Sequence, residues 1–231
     1  MNLYREQFGF TRRLLPVVHV ETVDQTRLSV ENARSGGADG VFLISHTLGS
    51  TDLLTIYNLV RGEHPDWWIG LNELGTWPGV MAQTVPSSVS GVWTDDSLIR
   101  EHQDEQHDAG VVWYHLTNRK IRPVYFGGVA FKYKREVENL EAAASKAVPF
   151  MDVVTTTGPG TGRAADLEKV RRMRDAMGDA PLALASGITA PNVADYMPFV
   201  DCFLVASSIT DPGEVINEAR VRELLSAMGR T

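Results

Sequence analysis

Two patterns of apolar and polar positions alternate along the whole chain. One is a short apolar run rich in aliphatic and β-branched residues. It recurs as Leu14–Val20, Gly40–Ser45, Trp67–Asn72, Gly91–Asp95, Arg122–Gly128, Met151–Thr157, Pro181–Ser186 and Asp201–Ser207. Several of these runs are apolar throughout, as parallel strands covered on both faces require. The other pattern has the period of a helix. In "ADLEKVRRMRDAM" it places Leu167, Val170, Met173 and Met177 on one face, with Glu168 and Arg172 four apart on another. "VDQTRLSVENARSGG" offers Val23, Leu28 and Val30, then Gly36 and Gly37 as a stop. "EVENLEAAASKAV" and "GEVINEARVRELLSAMG" read the same way, the latter presenting Val215, Ile216 and Leu224 either to the core or to a second subunit. Pro78 and Pro86 interrupt "LGTWPGVMAQTVPSSVS", so that unit is expected to hold a loop and only a short helix.

Successive strand starts are roughly 20–30 residues apart, the size of one βα unit in a (β/α)8 barrel of ~250 residues. The pattern therefore predicts an α/β fold, a single TIM-barrel domain over residues 1–231, in preference to an open flavodoxin-like sheet with fewer strands. The stretch "MDVVTTTGPGTGRAADLEKV" raises a competing possibility, a dinucleotide-binding turn. Its glycines, Gly158, Gly160 and Gly162, are spaced G-x-G-x-G, however, and Pro159 removes an amide between the first two. The place of the ribose-binding acid, about 20 residues on, is held by Ala185 and Ser186. The stretch reads instead as the loop after strand six of a barrel.

Barrels build their sites on the loops at the C-terminal ends of the strands. Strand seven ends in Ser186, Gly187 and Thr189, and strand eight in Ser207, Ser208 and Thr210. Small residues and hydroxyls there make an anion cup, with backbone amides close to a phosphate and a helix N-terminus facing it. Thr157, Gly158, Gly160, Thr161 and Gly162 supply the neighbouring loop. Polar residues at the other strand ends are His19 and Glu21, His46, Asn72 and Glu73, Asp95 and Asp96, and Lys132. His19, Glu73, Asp95 and Lys132 are the candidates for acid–base chemistry. Asp95 and Asp96 also suit a helix N-cap, and His46 the start of a helix. The pair Trp67–Trp68 is assigned to the outside or the N-terminal rim.

Composition narrows the partners. The 231 residues carry a formal net charge of −7, which argues against non-specific nucleic-acid or anionic-membrane binding. The only cysteine, Cys202, lies in an apolar run and reads as a buried thiol, which leaves no disulfide and no cysteine-based metal site. No HxH or HExxH spacing calls for a metal and no G-x-S-x-G elbow for a serine nucleophile. His64, His102, His107 and His115 receive no role. No apolar run approaches a membrane span and the first residues lack a signal-peptide core, so a cytoplasmic protein is expected. No cofactor is expected; a flavin would show as colour.

The blocks "LPVVHV", "IGLNELG", "GVWTDDSLI", "VYFGGVAFKYK", "DVVTTTGPGTGRAADLEKVRRMRD" and "LALASGITAPNVADYMPFVDCFLVASSI" resemble the successive blocks of the BtpA family. The resemblance implies a TIM barrel of the ribulose-phosphate-binding type. It marks His19, Asn72, Asp95, Lys132, Thr157, Gly158, Thr161, Gly162, Ser186 and Gly187 as motif positions. The chain departs from the family pattern where Glu21-Thr22-Val23-Asp24 follows His19, and where "ISHTLGS" follows strand two. Both departures lie at the mouth and imply a substrate of its own. Family members resemble sugar-phosphate or nucleoside-processing enzymes, and the family name comes from a role in photosystem I biogenesis. The expected function is thus an enzyme acting on a phosphorylated sugar or nucleotide-like molecule by glycosyl-bond cleavage, transfer or isomerisation. The alternative is a binding or assembly factor without turnover. A phosphorylated small molecule is the expected partner, and a second copy of the chain a further one.

Overall fold

The computed structural model describes residues 2–230. Each of the eight apolar runs coincides with a strand, the first of which starts one residue early: β1 (Arg13–His19), β2 (Val41–Ile44), β3 (Ile69–Asn72), β4 (Gly91–Thr94), β5 (Val124–Gly128), β6 (Val153–Thr156), β7 (Leu182–Leu184) and β8 (Cys202–Val205). Each pairs in parallel with the next, and β1 closes the ring on β8 through Leu14–Phe203 and Leu15–Leu204. The fold is a (β/α)8 TIM barrel.

Alternation along the strands divides the core in two. Leu15 and Val17 of β1, Phe42 and Ile44 of β2, and Cys202 and Leu204 of β8 fill the barrel interior. Leu14, Val18, Val41, Leu43, Phe203 and Val205 point the other way, into the layer under the helices. Both sets are buried, so the runs are apolar without interruption. The helices are α2 (Val23–Ser35), α3 (Ser50–Glu63), α4 (Pro78–Thr84), α5 (His107–Thr117), α6 (Leu140–Ala147), α7 (Leu167–Met177), α8 (Val193–Tyr196) and α9 (Glu218–Ala227). Pro78 opens the short α4, where its missing amide costs nothing. In α7, Val170, Met173 and Met177 are buried as predicted, whereas Leu167 is largely exposed. In α2 the buried face is Thr26, Ser29, Val30 and Ala33, and the expected Leu28 faces solvent.

One further helix, α1 (Leu3–Phe8), closes the N-terminal end of the barrel. Tyr4 enters against Phe126, and its hydroxyl donates to the Asp201 carbonyl at 2.9 Å. Trp68 packs there against Phe8, Phe42 and Phe126, which places it at the N-terminal rim. Gly70 and Gly91 make this possible, since a Cβ on either would overlap the Trp68 ring. The rim is tied by carboxylates with structural work. Asp39, Asp152 and Asp201 accept from the amides of Leu14, Tyr125 and Leu182 at 2.9 Å each, and each also meets at least one arginine. Cys202 is fully buried beside Tyr4, and burial pushes its thiol well up.

One prediction fails after β8. The segment expected to begin the last helix at Gly213 forms a small antiparallel hairpin, β9 (Thr210–Asp211) and β10 (Val215–Ile216). Val215 and Ile216 thus belong to a strand, and α9 starts after Asn217, whose side chain caps it by accepting from the Arg220 amide. Gly213 and Glu214, both at positive φ, turn the hairpin tip back toward β1.

Candidate active site

A cavity of about 370 Å³ opens at the C-terminal mouth. Of the predicted site residues, His19, Asp95, Lys132, Thr161, Gly162, Ser186, Gly187, Ser207 and Ser208 line it together, joined by His46, Trp93, Tyr133 and Thr189. His19 ends β1, Asp95 follows β4, and Lys132 sits in the turn after β5. Ala130 and Tyr133, on either side of Lys132, adopt left-handed φ values of 49° and 60°. Strain of this kind persists where the surroundings fix it, and here it points the lysine turn inward. The Lys132 amide donates to Thr157 Oγ1 at 2.8 Å, and its Nζ to Thr161 Oγ1 at 3.3 Å. Burial lowers the Lys132 ammonium from its ordinary value. Asp95 accepts from Asn72 Nδ2 at 3.0 Å, while burial raises its carboxyl above the usual carboxylate range.

His19 is held from outside the strand. Its Nδ1 lies 2.9 Å from Glu214 Oε2 at the hairpin tip, and Gln25 Nε2 clamps the Glu214 carbonyl at 2.6 Å and the His19 carbonyl at 3.1 Å. The His46 ring stands edge-on to His19 with centroids 5.3 Å apart; burial, and then the His19 charge, lower its pKa. Glu214 was not legible as a site residue, because it arrives through a hairpin where the pattern predicts a helix.

The loops after β6 and β7 are stitched into one wall. Ser186 Oγ donates to the Gly160 carbonyl at 2.8 Å, so its hydroxyl braces the loop instead of facing the cavity as a ligand group. Asn192 does the same for the turn that carries Gly187, donating from Nδ2 to the Gly187 carbonyl at 2.9 Å and accepting from the Thr189 amide at 2.8 Å. Gly187, at φ 65°, packs against the backbone of Arg163 and Ala164 so closely that a Cβ would overlap it. The amides of Gly162, Gly187, Ser207 and Ser208 donate to no protein acceptor among the described residues. All four residues line the cavity. The helix N-terminus predicted to face the cup is absent: a turn precedes the four-residue α8, and the β9–β10 hairpin follows Ser207 and Ser208. Ser208 Oγ donates to the Ile188 carbonyl at 2.6 Å.

Other predicted residues fall outside the cavity. Thr157 and Gly158 line an outer cleft on the far side of Lys132, together with Lys169. Lys169 Nζ donates to the Ala130 and Thr157 carbonyls, both at 2.8 Å, and burial pulls it down to about 8. Gly160 contributes its carbonyl to Ser186. Glu21 is exposed, with its amide donating to Gln25. Asp96 caps a turn by accepting from the Leu98 amide at 2.8 Å, and no helix follows until α5. Asn72 and Glu73 line a side chamber of about 290 Å³ that shares Trp93 and Asp95 with the main cavity. The Glu73 carboxyl is raised by burial, an effect the nearby Ser50 hydroxyl opposes. Among the described residues, no group of three or more His, Cys, Asp or Glu has metal-holding geometry, and no helix is long and apolar enough to cross a membrane.

Comparison with known sequences agrees with the resemblance read from the motif blocks. Residues 121–230 match the BtpA family. The matched BtpA segment carries Lys132 and the loops after β6, β7 and β8, whereas His19, Asn72, Asp95 and their strands precede it. No curated protein matches the sequence significantly. Three solved structures share the fold. A (S)-3-O-geranylgeranylglyceryl phosphate synthase from Thermoplasma acidophilum, in complex with sn-glycerol-1-phosphate, aligns with TM-score 0.69 at 12% identity, covering 98% of this chain and 96% of its own. Tryptophan synthase from Mycobacterium tuberculosis gives 0.66 at 14%, with 97% and 94% covered. Phosphoribosyl anthranilate isomerase from Thermus thermophilus gives 0.63 at 13%, with 94% and 98% covered.

Proposed function

We propose that this barrel is an enzyme acting on a phosphorylated sugar or nucleotide-like small molecule. The phosphate sits on the amides of Gly162, Gly187, Ser207 and Ser208, and His19, Asp95 and Lys132 supply acid–base chemistry beside it. The observation that carries this reading is that four residues with unpaired amides and these three titratable groups line one 370 Å³ cavity. Each titratable group has a physical assignment. Asp95, whose carboxyl is raised by burial and oriented by Asn72, is placed to exchange a proton with the ligand. Lys132, destabilised as a cation by burial, is suited to polarise a carbonyl or neutralise developing negative charge. His19, with Nδ1 taken by Glu214, has Nε2 left to exchange a proton with the ligand.

Two of the structural neighbours support the substrate class by their names. One was solved with sn-glycerol-1-phosphate, and another isomerises a phosphoribosyl compound. Glycosyl-bond cleavage, transfer and isomerisation all use the acid and base described. The test is a thermal-shift panel of inorganic phosphate, pentose and hexose phosphates, phosphoribosyl pyrophosphate, nucleosides and nucleotides. A ligand at 100 times its Kd adds about 2.7 kcal/mol, and each kcal/mol moves Tm by about 2–4 °C at this size, so a true ligand shifts Tm by roughly 5–10 °C. A flat panel would remove the enzyme reading and leave an assembly role.

A further inference from the structure

The 370 Å³ cavity has a lower wall that the acid–base reading leaves without a task. Val17 of β1, Ile44 of β2, Trp93 of β4 and Leu204 of β8 reach it from the strands, with Ala185 just past β7 and Phe131 in the turn after β5. Each keeps between 2% and 6% of its surface exposed. The residues two positions earlier on the same barrel-facing side, Leu15, Phe42, Ala183 and Cys202, are fully buried. The six therefore form a floor, the first layer of the barrel interior that the cavity reaches. Trp93 sets its ring edge-on to Phe42 and Phe131, with centroids 5.6 and 5.8 Å away, which holds it in place. Its Nε1 is buried, so the indole offers carbon to the cavity. His19, His46 and Asp95 stand two positions beyond Val17, Ile44 and Trp93, one layer nearer the mouth. The other polar residues of the lining belong to loops beyond the strand ends. A hydroxyl pressed onto this floor would give up its bonds to water and gain none.

We propose that the floor is a subsite for a compact apolar group of the ligand, an aryl ring or a short hydrocarbon. This rests on the preceding reading for the phosphate end of the molecule. Of the phosphorylated compounds considered there, those with an apolar substituent suit the cavity at both ends. A sugar or base with polar groups all around it leaves some of them unpaired on the floor. His19 and Asp95, one layer above the floor, then flank the part of the ligand that joins its two ends.

The experiment titrates inorganic phosphate, ribose 5-phosphate, butyl phosphate, phenyl phosphate and phenol into the wild type, Val17→Thr and Ile44→Val by calorimetry. Threonine has nearly the volume of valine and sets a hydroxyl on the floor. Valine at position 44 removes one methylene and keeps the surface apolar. The expected result is that butyl and phenyl phosphate bind about tenfold or more tighter than ribose 5-phosphate, with a more negative heat-capacity change. Val17→Thr should lose roughly threefold or more of the phenyl phosphate affinity, and Ile44→Val up to about the fourfold of one methylene. Inorganic phosphate, too small to reach the floor from the cup, should bind all three proteins alike. Ribose 5-phosphate binding as tightly as butyl and phenyl phosphate, or a preference that neither substitution reduces, overturns the proposal and leaves the phosphate cup standing. Phenol binding that Val17→Thr weakens, with no response to inorganic phosphate or ribose 5-phosphate, sinks the cup and keeps the floor. Silence from every probe overturns both.

Discussion

His19 Nδ1 lies 2.9 Å from Glu214 Oε2, a contact between residues 195 positions apart that joins the first strand of the barrel to the hairpin after the last. A carboxylate at Nδ1 favours the tautomer with the proton on Nδ1, which leaves the Nε2 lone pair for the cavity. Nitrogen NMR of the histidine rings should show this tautomer for neutral His19, and Glu214→Ala should return it to a mixture. Once a substrate is in hand, His19→Ala should reduce turnover by about 10²–10⁴-fold, the usual share of a general base. Glu214→Ala should lose part of that. An unchanged ring spectrum in Glu214→Ala would remove Glu214 from the account.

The two glycines of the cup should respond differently to a methyl group. Gly187→Ala places a Cβ into the Arg163–Ala164 backbone at a left-handed φ, so the loops after β6 and β7 must separate. The expected stability loss exceeds the ~1–3 kcal/mol of backbone strain alone, and phosphate affinity goes with it. Gly162→Ala meets only Ser207 Oγ at 4.0 Å and should cost about 1 kcal/mol. Denaturant melts of both variants decide the point; equal losses would contradict it.

Asp95 offers a pH signature with a definite sign. Its folded-state pKa is raised by burial, so the unfolded chain gives up this proton first. This group's contribution to stability therefore falls as pH rises from the ordinary carboxylate value through the raised one. Asp95→Asn keeps the acceptor for Asn72 and should raise Tm at pH 7 while turnover is lost. Sulfate, whose charge is constant over this range, should bind the wild type less tightly as pH rises through the Asp95 pKa and bind Asp95→Asn with a flatter profile. A lower Tm for Asp95→Asn would show that its charge is compensated in the fold.

Glu101 behaves oppositely. Its side chain is fully buried and accepts from Arg135 Nη1 and the Glu138 amide, both at 2.9 Å, which pulls its carboxyl down to about 2, chiefly through Arg135. The stability it lends is present above the unfolded value near 4.5 and disappears as pH falls toward 2. Glu101→Gln should cost about 2 kcal/mol at pH 7, with the difference closing across that window in acid melts. A difference that persists at pH 2 would assign the loss to packing.

The barrel was legible because its signal is repetitive: each strand is buried on both faces and each turn is marked by small residues. The loops after β6, β7 and β8 were legible for the same reason, through Gly162, Gly187, Ser207 and Ser208. What failed was local and nonperiodic. Val215 and Ile216 extend the apolar spacing of α9, so the hairpin was hidden, although Asn217 is a capping residue at the true helix start. Glu214 and the plugging helix α1 owe their roles to chain ends meeting in space, which no spacing encodes. Ser186, Thr157 and Gly160 sit in the right loops, but their polar atoms brace those loops; one sequence position cannot say which way a hydroxyl points.

The measurement that bears most directly on the phosphate cup is calorimetric titration of inorganic phosphate and ribose 5-phosphate into the wild type and Ser207→Asp. Ser207 is exposed at the mouth, so the fold should tolerate the change, yet it sets a negative charge beside the amides of Gly162, Gly187 and Ser208. Binding by the wild type that weakens at least tenfold in Ser207→Asp, with an unchanged Tm of the free protein, is the predicted result. No binding, or equal binding by both, would contradict the cup and with it the proposed enzyme.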